Sequence, residues 1–408
     1  AFDIDGVLQR GDIQLDAGMY AMKRLHDEHG NPKYPIAFLT NGGGHTEHER
    51  AEKLSRMFNI KVSDSQIVLS HTPMKYLADR YNSLKDTAVL CVGKRDCTRV
   101  ARYYGFERPI SSQDLGYIHS LATPLSQYPT VTSVDFAYTE ADGHSVVFSE
   151  AFVKYVAHLH FSAVFVMHDS NDWGRDIQLI CDIVAGEAKP SPAASTAAAL
   201  LETETVASKK KNKKSKAAAR AAAAAAAAAA HPNITVNVPL TQHIDPGIIS
   251  DQTVDVYFSN PDFIWPNETI HPRLGQGAFR IALCAVYQEL TGHPLKYEQF
   301  GKPNLIQYKE VRKRLEAQLK PNQRISSIFA VGDNPKADIR GANAAGNDFV
   351  SVLVKTGVHQ DSDDLDPEER SPELELMDTP DLLVNTVADA VDFALEEHAK
   401  KVQAATST

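Results

Sequence analysis

The chain has 408 residues, 43% of them hydrophobic, and a formal net charge of −10. That length admits two domains or one core divided by an insertion, and the acidity argues against nucleic acid as the main partner, which favours a basic face. No apolar run reaches the roughly 20 residues that span a bilayer; the alanine run 221–230 is too short and too weakly apolar. Cys91, Cys97, Cys181 and Cys284 are scattered without CxxC spacing, so neither a disulfide framework nor a zinc site is suggested and a reducing compartment fits.

The first expected strand is Phe2–Ile4, running into Asp3-Ile4-Asp5-Gly6. Side chains two apart on a strand share a face, so the two carboxylates point to one place and repel unless a cation joins them. The strand starts so near residue 1 that further sequence is expected upstream, where any targeting segment would lie. A helical pattern at Tyr20–Asp27 leads to an apolar run at Pro35–Leu39, which ends in Thr40-Asn41-Gly42-Gly43-Gly44. A hydroxyl and a glycine loop at a strand end supply oxygen-binding donors. Thr46–Leu54 reads as the next helix and Thr87–Val92 as the next strand.

Apolar strands alternating with helices imply an α/β fold with a parallel, Rossmann-like sheet covered on both faces, its chemistry at the carboxyl ends of the strands. Residues 1–115 are expected to form the first part of this core. Residues 116–298 read as an inserted α/β domain, with a strand at Ala163–Met167, a turn at His168–Trp173, a helix at Asp176–Val184 and a strand at Val254–Phe258. Inside it, 186–231 is low complexity, lysine-rich and then alanine-rich, and is expected to be a solvated surface loop. The core resumes over 299–408, with Gly301-Lys302-Pro303, a strand at Ile328–Val331 ending in Asp333, Asp338 five residues on, a strand at Phe349–Val354, an acidic loop at 361–375 and a last helix near Val387–Glu397.

Asp3/Asp5, Thr40 with its glycines, Lys302, and Asp333/Asp338 form an ordered set, each member at a strand end or adjoining loop. Any one of them alone would read as a turn residue or a surface charge. Together they resemble the haloacid dehalogenase (HAD) superfamily, and the long insertion resembles its C2-type cap, class IIA. Phe258-Ser-Asn-Pro-Asp262, Arg273-Leu-Gly-Gln-Gly-Ala-Phe279 and Asp172-Trp-Gly-Arg-Asp-Ile-Gln178 are most similar to the cat-eye-syndrome critical-region, HAD-like hydrolase domain-containing group.

The resemblance implies a Mg²⁺-dependent phosphatase for a small phosphorylated metabolite. Asp3 is its expected nucleophile, forming an aspartyl-phosphate, and Asp5 its general acid and base. Members lacking the second aspartate tend towards other chemistry. Thr40, Asn41, Gly42 and Lys302 are expected on the phosphoryl oxygens. Mg²⁺ is expected on Asp3, Asp333 and the Asp5 carbonyl, which would offset the clustered charge, with Asp338 behind them orienting a neighbour or, alternatively, ligating the metal directly. In the cap, Asp262, Arg273 and Arg280 either meet the leaving group or stabilise the inserted domain. His45 and His48 either contact substrate or are surface residues of a helix start, His168 and Asp169 end a cap strand as turn chemistry, and Trp173 is a packing anchor rather than a stacking platform. A homodimer through the cap and a mitochondrial location also follow from resemblance only. Two other readings stay open: a weakly active binding or scaffold protein, and a peripheral enzyme acting on a phospholipid-derived phosphate.

Overall fold

A computed structural model describes residues 1–85, 87–94, 97–128, 136–139, 145–148, 160–186, 252–265, 267, 269, 271–358 and 376–406. The low-complexity stretch beyond Gly186 and the acidic loop 361–375 lie outside the described residues. The core sheet is parallel, and the short segment at the start of the chain forms its centre. Phe2 bridges to Phe38 on one side and Val331 on the other. Its N–H donates to Ala37 O at 2.9 Å, and the Asp3 N–H donates to Val331 O at 2.8 Å. Outward on one side run Phe38–Thr40 and Ile67–Leu69; on the other run Ile328–Gly332, Phe349–Val354 and Leu382–Val384.

Helices Asp16–Leu25, Glu47–Phe58 and Val387–Thr406 cover one face of this sheet through Met22, Leu54 and Val391. Leu305–Glu316 covers the other through Tyr308, Val311 and Leu315. Burial on both faces explains the uninterrupted apolar strands, each fully buried aliphatic side chain contributing about 1.5–3 kcal/mol. Thr46 starts the second helix with a capping box: its hydroxyl accepts from the Glu49 N–H at 3.2 Å and its own N–H donates to Glu49 Oε2 at 2.8 Å. The box pins one end of the glycine loop that follows Thr40.

A second parallel sheet runs in the order Glu298–Gln299, Asp255–Phe258, His160–Val166, Thr87–Val92, Pro109–Ser111. This corrects the expected division of the chain. Thr87–Val92 belongs to the cap, not the core, so the expected boundary at 115 falls inside the part of the chain that builds the second sheet. A fully buried apolar strand carries no mark of which sheet it joins; only its register with His160–Val166 decides. At the other end the cap sheet includes Glu298–Gln299, and Lys302 follows three residues later. Phe165 stacks on Tyr257 with centroids 4.9 Å apart, and Trp173 packs edge-on against Phe279 at 5.5 Å, a packing anchor as expected. Cys91 and Cys181 are buried thiols, neither in a disulfide. Among the described residues no helix is long and apolar enough to cross a membrane.

Candidate functional site

The carboxyl ends of the core strands bring the ordered set together. Lys302 Nζ lies 2.9 Å from Asp3 Oδ1 and donates to Asp338 Oδ1 at 2.6 Å and to Leu39 O at 3.3 Å. It reaches this position on a glycine: Gly301 has φ +85°, and a Cβ there would lie 2.6 Å from Ser259 O. Asp338 also accepts from the Asn334 N–H at 3.1 Å, so its carboxylate clamps the lysine and its own loop. Asp333 is wedged between two glycines, and a Cβ on Gly6 or on Gly357 would collide with its carboxylate. Its Oδ2 accepts from the Val358 N–H at 2.6 Å.

Asp5 is held from the side by Gln9, whose amide donates to Oδ1 at 2.8 Å and to Gly11 O at 2.9 Å. Thr40 Oγ1 accepts from the Gly42 N–H at 2.9 Å, which leaves the hydroxyl proton to be donated elsewhere and ties up the Gly42 amide expected to be open. The Asn41 side chain is a bridge. Its Oδ1 accepts from the Lys302 N–H at 2.7 Å, and its Nδ2 donates to Asp262 Oδ1 at 2.9 Å and to Lys302 O at 3.2 Å. Asn260 of the cap adds a bond to Asn41 O at 3.1 Å.

The charges do not balance. Asp3, Asp333 and Asp338 are all buried, with one carboxylate oxygen from each lying within 4.8 Å of the others, and Lys302 is the ammonium among them. Burial pushes Asp3 well above the usual carboxylate range, with Lys302 opposing and the neighbouring aspartates adding to it. Burial and then Asp338 push Asp333 up to about 7. Burial alone would lower the Lys302 ammonium, but Asp3 and Asp338 reverse this and hold it above its ordinary value. Asp3 Oδ1 has the Lys302 ammonium at 2.9 Å and no other polar partner among the described residues. A surplus of buried carboxylate oxygens is the donor set of a hard divalent cation, and Asp3 and Asp333 have the oxygens to hold one.

A cleft of about 400 Å³ connects this cluster to the cap. Asp262 and Arg273 both line it. Burial pushes Asp262 up to about 7, against the pull of Lys302 and of the Asn41 amide. Arg273 sits exposed on a hairpin, Ile264–Trp265 against Arg273–Leu274, with its Nε donating to Pro272 O at 3.0 Å. Arg280 bonds the Tyr297 hydroxyl at 2.7 Å and lies over that ring, a contact within the cap. His48 is an exposed surface residue near Asp64 and Glu52, as expected. His45, for which a substrate contact or a surface place was expected, and His168 and Asp169, expected in a turn, line the cleft, as do Arg50, Lys53 and Lys94. Gln9 and the bridging role of Asn41 had no signal in the sequence; Asn260 lay inside a quoted motif without an assigned role.

The family model for haloacid dehalogenase-like hydrolases matches residues 1–107, and a HAD-hydrolase-like model matches residues 299–390. A mitochondrial hydrolase of Saccharomyces cerevisiae is 30% identical over 98% of this chain and 96% of its own length. A cardiolipin synthase (CMP-forming) / mitochondrial hydrolase fusion protein of Schizosaccharomyces pombe is 31% identical over 88% of this chain, which spans about half (48%) of that longer protein. Among solved structures, a hypothetical protein from Pyrococcus horikoshii shares the fold over 96% of this chain and 98% of its own, with a TM-score of 0.50 and 18% identity. With the strand-end site and these matches together, the chain belongs to the haloacid dehalogenase-like hydrolase family.

Proposed function

We propose that this hydrolase is a Mg²⁺-dependent phosphatase that cleaves a small phosphomonoester through a phosphorylated Asp3. The observation that carries the reading is the buried ammonium of Lys302 at 2.9 Å from Asp3, in a cleft that Asp5 and Thr40 also line. A carboxylate attacks a phosphate ester only where cations neutralise both. Asp3 attacks phosphorus in line, the ester P–O bond breaks, and the leaving oxygen takes a proton from Asp5. Asp5 then takes a proton from water, whose oxygen attacks the same phosphorus, releasing inorganic phosphate and restoring Asp3.

Gln9 fixes Asp5 through Oδ1, which leaves the second oxygen for this proton traffic. The Thr40 hydroxyl and Lys302 bind the phosphoryl oxygens, and Asp338 positions Lys302 through its 2.6 Å bond. Asp3 and Asp333, with the Asp5 carbonyl, would hold Mg²⁺, which supplies Lewis-acid charge against the repulsion between carboxylate and phosphate. Replacing Asp3 by Asn keeps shape and hydrogen bonding but removes the nucleophile. Phosphate release in Mg²⁺ should fall by at least about 10³-fold with the thermal midpoint retained; unchanged release sinks the mechanism.

The fusion relative supports a more specific second reading. Its name joins a homologous hydrolase to an enzyme of phospholipid synthesis, which favours a lipid-derived phosphate as substrate. Both relatives carry mitochondrial names, and a mitochondrial location is the corresponding reading for this chain, checked by fractionation. Exposed Ile281, Val286 and Leu290 on the cap helix Gln276–Thr291 support a homodimer through the cap, which light scattering separates from a monomer.

A further inference from the structure

The loop after Thr40 carries three consecutive glycines, and only Gly42 adjoins the phosphoryl-binding hydroxyl. Gly43 and Gly44 answer to the cap. A Cβ on Gly43 would run into Met167 O, and one on Gly44, at φ +75°, would run into the His168 ring. Gly93, at φ +147°, clears the other side, where a Cβ would lie 2.8 Å from His168 Cβ. Gly44 makes room for the imidazole itself, and Gly93 for the backbone and Cβ of the residue that carries it, at the lip of the catalytic cleft.

The ring is oriented. The Asp169 N–H donates to His168 Nδ1 at 2.7 Å, so in the neutral imidazole the proton sits on Nε2. That nitrogen makes no hydrogen bond to the described residues, and the side chain, 18% exposed, lines the cleft. Asp169 lies beside it, with Oδ2 3.5 Å from Nδ1 and 37% of the side chain exposed, and it lines the same cleft. Its backbone is fixed, since the Lys94 N–H donates to Asp169 O at 2.6 Å. The cap therefore presents an N–H donor and a carboxylate acceptor on consecutive residues of the cleft wall. A phosphoryl group is repelled by the carboxylate, an ammonium gains nothing from the imidazole N–H, and an alkyl group uses neither. A hydroxyl, which accepts one hydrogen bond and donates another, uses both.

We infer that His168 and Asp169 form a hydroxyl-reading site for the leaving group, and that the substrate is the phosphomonoester of a polyol with a free hydroxyl near the ester. This rests on the phosphatase reading above, so the wild-type protein is first assayed on p-nitrophenyl phosphate with Mg²⁺. Inertness there overturns the phosphatase reading itself. The inference is tested by the ratio of kcat/KM for glycerol 3-phosphate to that for propyl phosphate, which lacks the hydroxyls. Wild type should favour glycerol 3-phosphate by at least about 10-fold, because the deoxy analogue leaves the N–H and the carboxylate of this half-buried site without a partner. His168→Leu and Asp169→Ala should each bring the ratio towards one, while His168→Gln, which keeps an N–H at the Nε2 position, should retain most of it. A wild-type ratio near one overturns the inference. So does a ratio that survives in both Asp169→Ala and His168→Leu, or one that falls equally in His168→Gln and His168→Leu.

Discussion

The two parallel sheets present opposite kinds of strand end to the one cleft. The core sheet ends in Asp3 and Asp333, both buried, Asp3 paired with Lys302 and Asp333 held by the Val358 N–H between Gly6 and Gly357. The cap sheet ends in His168, Asp169 and Asp262, half-buried groups with fewer fixed contacts. Charge at the core ends is overcrowded and stabilised mutually; charge at the cap ends is sparse and open to the cleft. Chemistry common to all phosphate esters needs the first arrangement, and selection of one leaving group needs the second. The Asn41 side chain joins the two by bonding Lys302 of the core and Asp262 of the cap.

The sharpest way to break this contrast is to remove the cation from the crowded side. Lys302→Met leaves Asp3 and Asp338 buried without their partner, and breaking a buried pair in this way costs about 3–5 kcal/mol. Denaturant unfolding in a chelator should show a loss of that size, and kcat should fall by about 10²–10³-fold as transition-state charge loses its counter-ion. A variant as stable as wild type in chelator would mean that the carboxylates are protonated and that the cluster is not held by Lys302.

The seam between the two sides should respond more moderately. Gly44→Ala sets a Cβ against the His168 ring at a positive φ, and overpacking of this kind costs about 1–3 kcal/mol. The thermal midpoint should fall, and turnover should fall about 10-fold as the loop carrying Thr40 shifts. The double variant Gly44→Ala/His168→Ala should recover stability but not selectivity between glycerol 3-phosphate and propyl phosphate. Absence of that recovery would mean that strain at the positive φ, rather than the imidazole, is what Gly44 relieves.

The contrast also explains what was legible in the sequence. Asp3, Asp5, Thr40, Lys302, Asp333 and Asp338 could be found because each is a polar residue standing at the end of an apolar run or between Gly and Pro, and the structure gathers them in one cleft. The sheet to which Thr87–Val92 belongs could not be found, because two buried parallel sheets use the same residues and differ only in pairing. Gln9 and Asn41 were equally silent in their roles, since an amide shows its partner only after the chain has folded. For Arg280 the sequence left open a leaving-group contact or a stabilising role in the cap, and the structure has it in a contact within the cap. Phe279, Leu283 and Tyr287 are the buried face of its helix, and one residue beyond Phe279 the side chain turns away, here to Tyr297. His168 stands in a bend after the cap strand, as expected, and its place beside Gly44 at the cleft came only with the fold.

The smallest expected effect concerns the ionisation of the cap side. Burial pushes Asp262 up to about 7 from an ordinary value of 3.8. A carboxyl whose folded pKa exceeds its unfolded value contributes its full stability below the unfolded value and loses it as the pH rises through the folded one. The window for Asp262 therefore runs from about pH 4 to about pH 7, and Asp333, also pushed up to about 7, adds in the same direction. In a chelator the thermal midpoint of wild type should decline across that window. Asp262→Asn keeps an oxygen to accept from the Asn41 amide but has no charge to bury, so its decline should be shallower while Asp333 preserves part of the slope. Parallel curves for the two proteins would mean that Asp262 is ionised throughout, with the cap end as well neutralised as the core.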